Sequence, residues 1–108
     1  MNPTQLHSLV SSKLEAIQDL CREFGVARLE VFGSAATDDF DPARSDVDFI
    51  VTYLPDYDFG PVLMRYFELK ERLEALLGRS VDLVMASAMR KPHFIEAANE
   101  TRQVLYAA

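Results

Sequence analysis

The chain carries a single cysteine, Cys21, among 108 residues. One thiol cannot close an internal disulfide or supply half of a four-thiolate zinc site, and on the apolar stripe of a predicted helix it reads as a packing residue. Long hydrophobic runs are missing as well. No segment approaches the roughly 18 consecutive apolar residues of a membrane span, and the opening Met1 to Leu9 does not read as a secretory leader. Basic residues are scarce: 11 Lys and Arg face 17 Asp and Glu, for a formal charge of −6. Such a surface repels nucleic acid instead of gathering it by counterion release, so no direct nucleic-acid binding is expected. There is no internal repeat, low-complexity tract or linker, and the Gly-x-Ser-x-Gly, His-Glu-x-x-His, Walker and Gly-x-Gly-x-x-Gly signatures are all absent. His7 and His93 lie far apart in sequence and read as surface or packing residues. These absences predict a cytoplasmic protein with no membrane contact, folded as one domain over residues 1–108.

What is present is the material of a core. Hydrophobic residues make up 49% and charged ones 26%, and a domain of this size buries roughly 60 to 70% of its unfolded surface. That supports one core and an open cleft better than a deep pocket. Leu6, Leu9, Val10, Leu14, Ile17, Leu20, Cys21 and Phe24 recur at helical steps and predict a helix from Pro3 to Phe24, capped by Asn2 and stopped at Gly25. Ala27 to Phe32 reads as a strand ending at Gly33-Ser34, with a turn of helix from Ser34 to Asp38 and a loop from Asp38 to Ser45. Val47 to Tyr53 is a β-branched and aromatic run typical of a central strand. Val62, Leu63, Tyr66, Phe67, Leu69, Leu73, Leu76 and Leu77 predict a second long helix from Phe59 to Leu77, its aromatics assigned to the core. Ser80 to Met85, Pro92 to Asn99 and Gln103 to Tyr106 read as strand, short helix and terminal strand. The order α-β-α-β-α-β-α(-β) predicts an α/β (α+β) fold, a small mixed sheet of three or four strands packed with helices.

The chemistry concentrates in Gly33-Ser34, Ser45-Asp46-Val47-Asp48 and Asp82. Asp46 and Asp48 are two apart at a strand start, which puts both carboxylates on one face about 6.6 Å apart. Asp82 interrupts the apolar Val81-Asp82-Leu83-Val84, a charge that needs a reason. If its strand neighbours the second, each pair of bare carboxylates near 4 Å repels by roughly 4 kcal/mol at an effective dielectric of 20. A cation would relieve this, and oxygen-only ligands favour Mg²⁺, which usually borrows phosphate oxygens to complete its shell. Gly33 and Ser34 offer backbone and hydroxyl to a phosphate. Taken singly, Gly33-Ser34 also reads as a tight turn and Ser45-Asp46 as turn chemistry at a strand start; the combination points to chemistry. An EF-hand is excluded, because the acidic ladders from Asp39 and Asp46 run into Ala43 and Ile50. Metal-dependent sugar transferases also use an Asp-x-Asp pair, but on much longer folds.

Phe32-Gly33-Ser34-Ala35-Ala36, Ser45-Asp46-Val47-Asp48-Phe49-Ile50-Val51 and the later Val81-Asp82-Leu83-Val84 resemble the minimal nucleotidyltransferases of the DNA polymerase beta superfamily. The resemblance extends over nearly the whole chain. It implies the nucleotidyltransferase fold, with Gly33, Ser34 and Ser45 at the nucleotide. It also implies Asp46 and Asp48 bridging two Mg²⁺ ions, and Asp82 completing the catalytic metal site and helping to deprotonate the attacking hydroxyl. The reaction implied is transfer of AMP from ATP with release of pyrophosphate. Small stand-alone members are often antitoxins paired with a HEPN-domain toxin, which some of them adenylylate, and this implies a protein partner; the shallow cleft expected at this size suggests a homo- or hetero-oligomer. One departure stands out: Thr37 and Asp38 occupy places where the motif frequently has a basic residue and a glycine, with Arg44 a candidate replacement charge. An acid there weakens triphosphate binding, so the alternative is a module that keeps the fold and neutralises its partner by binding alone.

Overall fold

A computed structural model describes residues 8–36, 46–54 and 61–108. Its elements are α1 (Ser8–Ser11), α2 (Leu14–Glu23), β1 (Val26–Phe32), a 3₁₀ turn (Gly33–Ala36), β2 (Val47–Tyr53), α3 (Val62–Leu77), β3 (Val81–Met85), a 3₁₀ turn (Ala86–Ala88), α4 (Pro92–Asn99) and β4 (Gln103–Ala107). The strands form one mixed sheet in the order β3-β2-β1-β4. Its β1–β2 and β1–β4 pairs are antiparallel and its β2–β3 pair parallel. No helix among the described residues is long and apolar enough to cross a membrane.

Alternation along the strands divides the sheet into two faces. Leu29, Val31, Phe49, Val51 and Leu83 turn to one side and pack with Ile17, Leu20 and Cys21 of α2 and Leu69, Leu73 and Leu77 of α3 in the main core. Phe32 and Ile50 turn to the other side, where Ala98 and Phe94 of α4 meet them; the Phe32 and Phe94 rings stand edge to face with centroids 5.6 Å apart. Among the described residues this second cluster is small, and near the N-terminal ends of β2 and β3 Asp46 and Asp82 are exposed.

Two expectations fail here for identifiable reasons. The single helix from Pro3 to Phe24 is broken at Ser12-Lys13 into α1 and α2, with its first residues outside those described. Consecutive serines compete with the backbone for hydrogen bonds, and Ser12 Oγ reaches back to Leu9 O at 3.5 Å. In α3, Leu63 and Phe67 are 66% and 56% exposed and not in the core. The buried edge of α3 runs through Arg65, Leu69, Leu73 and Leu77, and a residue two positions before a buried one lies about 200° around the helix. The predicted start at Phe59 lies outside the described residues.

Arg65 is the unexpected member of that edge. It is 4% exposed, donates from Nη1 to Phe24 O and Gly25 O at 3.3 and 3.2 Å and from Nη2 to Leu54 O at 3.1 Å, and stacks 4.9 Å over the Tyr53 ring. One guanidinium thereby joins the end of α2, the end of β2 and the start of α3. Removing it leaves buried carbonyls underbonded, so Arg65→Met is expected to cost about 3 kcal/mol. Urea denaturation checks this: the midpoint should fall with an unchanged slope.

Candidate active site

Phe32, Asp48 and Asp82 form one cross-strand row. Phe32 pairs with Asp48 between β1 and β2, and Asp48 pairs with Asp82 between β2 and β3. Directly opposed residues point to the same face, so the two carboxylates share the face that carries α4. The start of β3 is fixed by Glu74 of α3, whose Oε2 accepts the Val81 N–H at 3.1 Å, and by the Val47 N–H, which donates to Ser80 O at 3.2 Å. Tyr66 Oη adds a bond of 2.7 Å to Leu83 O. Asp82 thus stands on a strand that α3 holds along its length.

Burial, then the charges of Asp82 and Asp46, push the Asp48 carboxyl up to about 6. Asp46, immediately before β2, and Asp82 are both exposed. Thus the expected acids all bear electrostatically on one centre, with Asp48 innermost. Among the described residues, no three Asp, Glu, His or Cys side chains converge into a ready ligand cluster, as mutual repulsion of bare carboxylates would dictate. The donor set itself, oxygen only and anionic, suits a hard divalent cation.

Gly33 meets this row from β1. Its φ is +74°, and a Cβ built on it would come 2.9 Å from Asp48 Oδ2. A side chain here would strain the backbone and displace the carboxylate. The Gly33 N–H is already committed, donating to Thr101 Oγ1 at 2.7 Å. What Gly33 contributes is therefore clearance around Asp48. Ser34 follows in the 3₁₀ turn. Ser45 and the Thr37, Asp38 and Arg44 positions lie outside the described residues, as does His7.

Other candidates fall away. Cys21 is buried, and burial pushes its thiol up to about 12, which fits packing and not nucleophilic chemistry. His93 is exposed on α4. A groove of about 330 Å³, lined by Val84, Met89, Lys91 and Phe94 among others, opens on the same face as the acids, Val84 lying two residues beyond Asp82.

Sequence reasoning missed the residues behind the turn. Gln103 is buried and donates from Nε2 to Ala36 O at 2.7 Å. Arg102 grips Glu30 of β1 through Nε and Nη2 at 2.9 and 2.6 Å, and its hydrogen bonds hold the Glu30 carboxyl below the usual carboxylate range. The available signal was alternation: Gln103 shares a strand face with the buried Leu105, and an inward glutamine needs a partner.

A four-stranded mixed sheet with carboxylates paired across adjacent strands beside a glycine turn is an arrangement suited to phosphoryl chemistry, and the chain belongs to the nucleotidyltransferase domain family, whose sequence profile matches residues 14–105. Among individual relatives, it is 42% identical to the protein adenylyltransferase MntA of Thermococcus cleftensis over 73 residues, 68% of this chain and 69% of that protein. It is also similar to a solved structure described as a minimal nucleotidyltransferase, with 31% identity, a TM-score of 0.69 and coverage of 87% of this chain and 90% of that one. A third likeness is to a chain in the solved complex of a tri-AMPylated HEPN toxin of Shewanella oneidensis with its MNT antitoxin. There the TM-score is 0.62 and the identity 19%, over 91% of this chain and 72% of that one; at that identity the likeness carries the fold alone.

Proposed function

We propose that this nucleotidyltransferase is a Mg²⁺-dependent protein adenylyltransferase, moving AMP from ATP to a hydroxyl of a protein partner, and that the partner is a HEPN-domain toxin neutralised by the modification. The observation that carries the reading is the Asp48–Asp82 pair in register beside Gly33. The name of the Thermococcus relative, a protein adenylyltransferase, supports AMP as the group moved. The complex of an AMP-bearing HEPN toxin with an MNT antitoxin supports the partner. Leu63, Met64 and Phe67, exposed on α3, provide apolar surface for such a partner to cover.

In this reading residues 1–108 act as one domain. Ser34 and Ser45 would meet the triphosphate while Gly33 keeps clearance around Asp48; Asp46 and Asp48 would hold two Mg²⁺ ions, and Asp82 would complete the catalytic site. The divalent ions supply charge neutralisation at the phosphates and a lower pKa at the attacking hydroxyl. Asp82 takes the proton from that hydroxyl. The hydroxyl oxygen bonds to the α-phosphorus as the bond from that phosphorus to the α,β-bridging oxygen breaks, and pyrophosphate leaves with the electron pair. The reading places the enzyme in the cytoplasm, where ATP is abundant and a thiol such as Cys21 stays reduced.

The test is to incubate the chain with ATP, Mg²⁺ and the product of the adjacent gene, expected in this reading to be a HEPN protein, and to weigh the products. The HEPN protein should gain one or more AMP units with matching pyrophosphate release, and chelation of Mg²⁺ should stop both. Neutralisation of the HEPN protein with no gain in mass would replace this reading with masking by binding alone.

A further inference from the structure

Thr101 and Arg102 lie between α4 and β4, which begins at Gln103, and each of the three bonds to β1 or to the Gly33–Ala36 turn that follows it. Thr101 Oγ1 accepts the Gly33 N–H, at the first residue of the 3₁₀ turn, and Gln103 Nε2 donates to the C=O of Ala36, its last, both at 2.7 Å. Between them Arg102 makes its two-pronged pair with Glu30 of β1. The connecting segment is itself anchored: the N–H groups of Thr101 and Arg102 donate to Ala98 O at 3.1 and 2.8 Å, and Gln103 pairs in register with Val31.

A 3₁₀ turn of four residues has few bonds of its own and poor geometry in those it has. Here both ends are pinned from outside, and Ser34 and Ala35 lie between the pins. We propose that Thr101 and Gln103 are positioning residues for the nucleotide, holding the Gly33–Ala36 turn at a set height over Asp48 so that the triphosphate meets a preformed backbone. The proposal rests on the nucleotidyl-transfer reading of the site. Gln103 supplies a second, independent reason. Its Oε1 is buried with no hydrogen-bond partner among the described residues, a cost that an apolar residue at this inward position would avoid. The amide is explained by what its Nε2 does for Ala36.

The test uses the full chain with Mg²⁺ and α,β-methylene ATP, whose bridge resists transfer, in a calorimetric titration. Hydrogen exchange at the Gly33 amide is followed by NMR. Thr101→Val keeps the shape and removes the acceptor; it should weaken analogue binding about tenfold, the value of one hydrogen bond, and speed exchange at Gly33. Thr101→Ser should restore both. Gln103→Met, which removes the other pin, should weaken binding similarly and serves if Thr101→Val does not fold. Wild-type affinity in Thr101→Val, or equal loss in Thr101→Val and Thr101→Ser, overturns the proposal. No analogue binding by the unsubstituted chain, with Gly33 still protected from exchange, overturns the adenylyltransfer reading and with it the purpose assigned to the pins.

Discussion

Asp48→Asn is expected to abolish AMP transfer while raising the melting temperature of the nucleotide-free protein. Asp48 is the innermost acid, its carboxyl pushed up to about 6 by burial and by the charges of Asp82 and Asp46. A raised folded-state pKa means that the fold favours the neutral acid. That favourable contribution is fully present below the unfolded value near 4 and is lost as pH rises through about 6, so at neutral pH the ionised carboxylate works against folding. Asparagine keeps the shape without the charge. Discounted for solvent screening of a half-exposed group, the gain is about 1 kcal/mol, or roughly 4 to 8 °C in a domain of this size. Transfer, in contrast, should fall by about 1,000-fold or more, because in the proposed function the lost charge is the one that holds divalent ions at the phosphates. Thermal melts in the presence of a chelator and a transfer assay check the two halves. A lower melting temperature with transfer retained would show that Asp48 is structural.

Gly33→Ala should damage both fold and catalysis, and a companion substitution separates the causes. At φ +74° an alanine strains the backbone, and its Cβ would lie 2.9 Å from Asp48 Oδ2. The strain alone costs about 1 to 2 kcal/mol. Gly78, which ends α3, has a nearly equal φ of +70° but nothing within 4 Å of the position a Cβ would take. Gly78→Ala should therefore lose similar stability and retain wild-type transfer. Gly33→Ala should lose that stability and about 100-fold in transfer, since displacement of a catalytic group by a fraction of an ångström is enough for such a loss. Denaturation midpoints and initial transfer rates on both variants measure this; equal transfer in the two would remove the Asp48 contact from the account.

Most of the fold was legible because its periodicities were clean. Val47–Tyr53 and Pro92–Asn99 fall where β-branched runs and proline punctuation predict, and β1 starts one residue earlier than the alternation suggests. The pairing of Asp48 with Asp82 was legible only conditionally, since a strand's sequence shows which face its acid takes but not which strand lies beside it. The parallel β2–β3 pair supplies that missing step.

The break at Ser12-Lys13 is local; the other failures share a cause, since each depends on contacts between distant segments. Helical spacing in α3 admits two apolar stripes, and only the packing of α3 against α2 and the sheet selects the one through Leu69 and Leu73 over the one through Leu63 and Phe67. A charged Arg65 inside an apolar pattern was the local hint, but its carbonyl partners belong to segments up to 41 residues away. Thr101 and Gln103 act on a turn 67 to 68 residues earlier in the chain, a separation at which no sequence period carries information.

The most direct measurement of the central claim follows a labelled phosphorus. The chain is incubated with Mg²⁺, the proposed HEPN partner and ATP labelled at either the α- or the γ-phosphorus. Attack at the α-phosphorus, directed by Asp46, Asp48 and Asp82, predicts that the α-label appears on the partner, the γ-label leaves in pyrophosphate, and an Asp46→Asn/Asp48→Asn chain transfers neither. Label from the γ-position on the partner, or equal α-labelling by the doubly substituted chain, would contradict it.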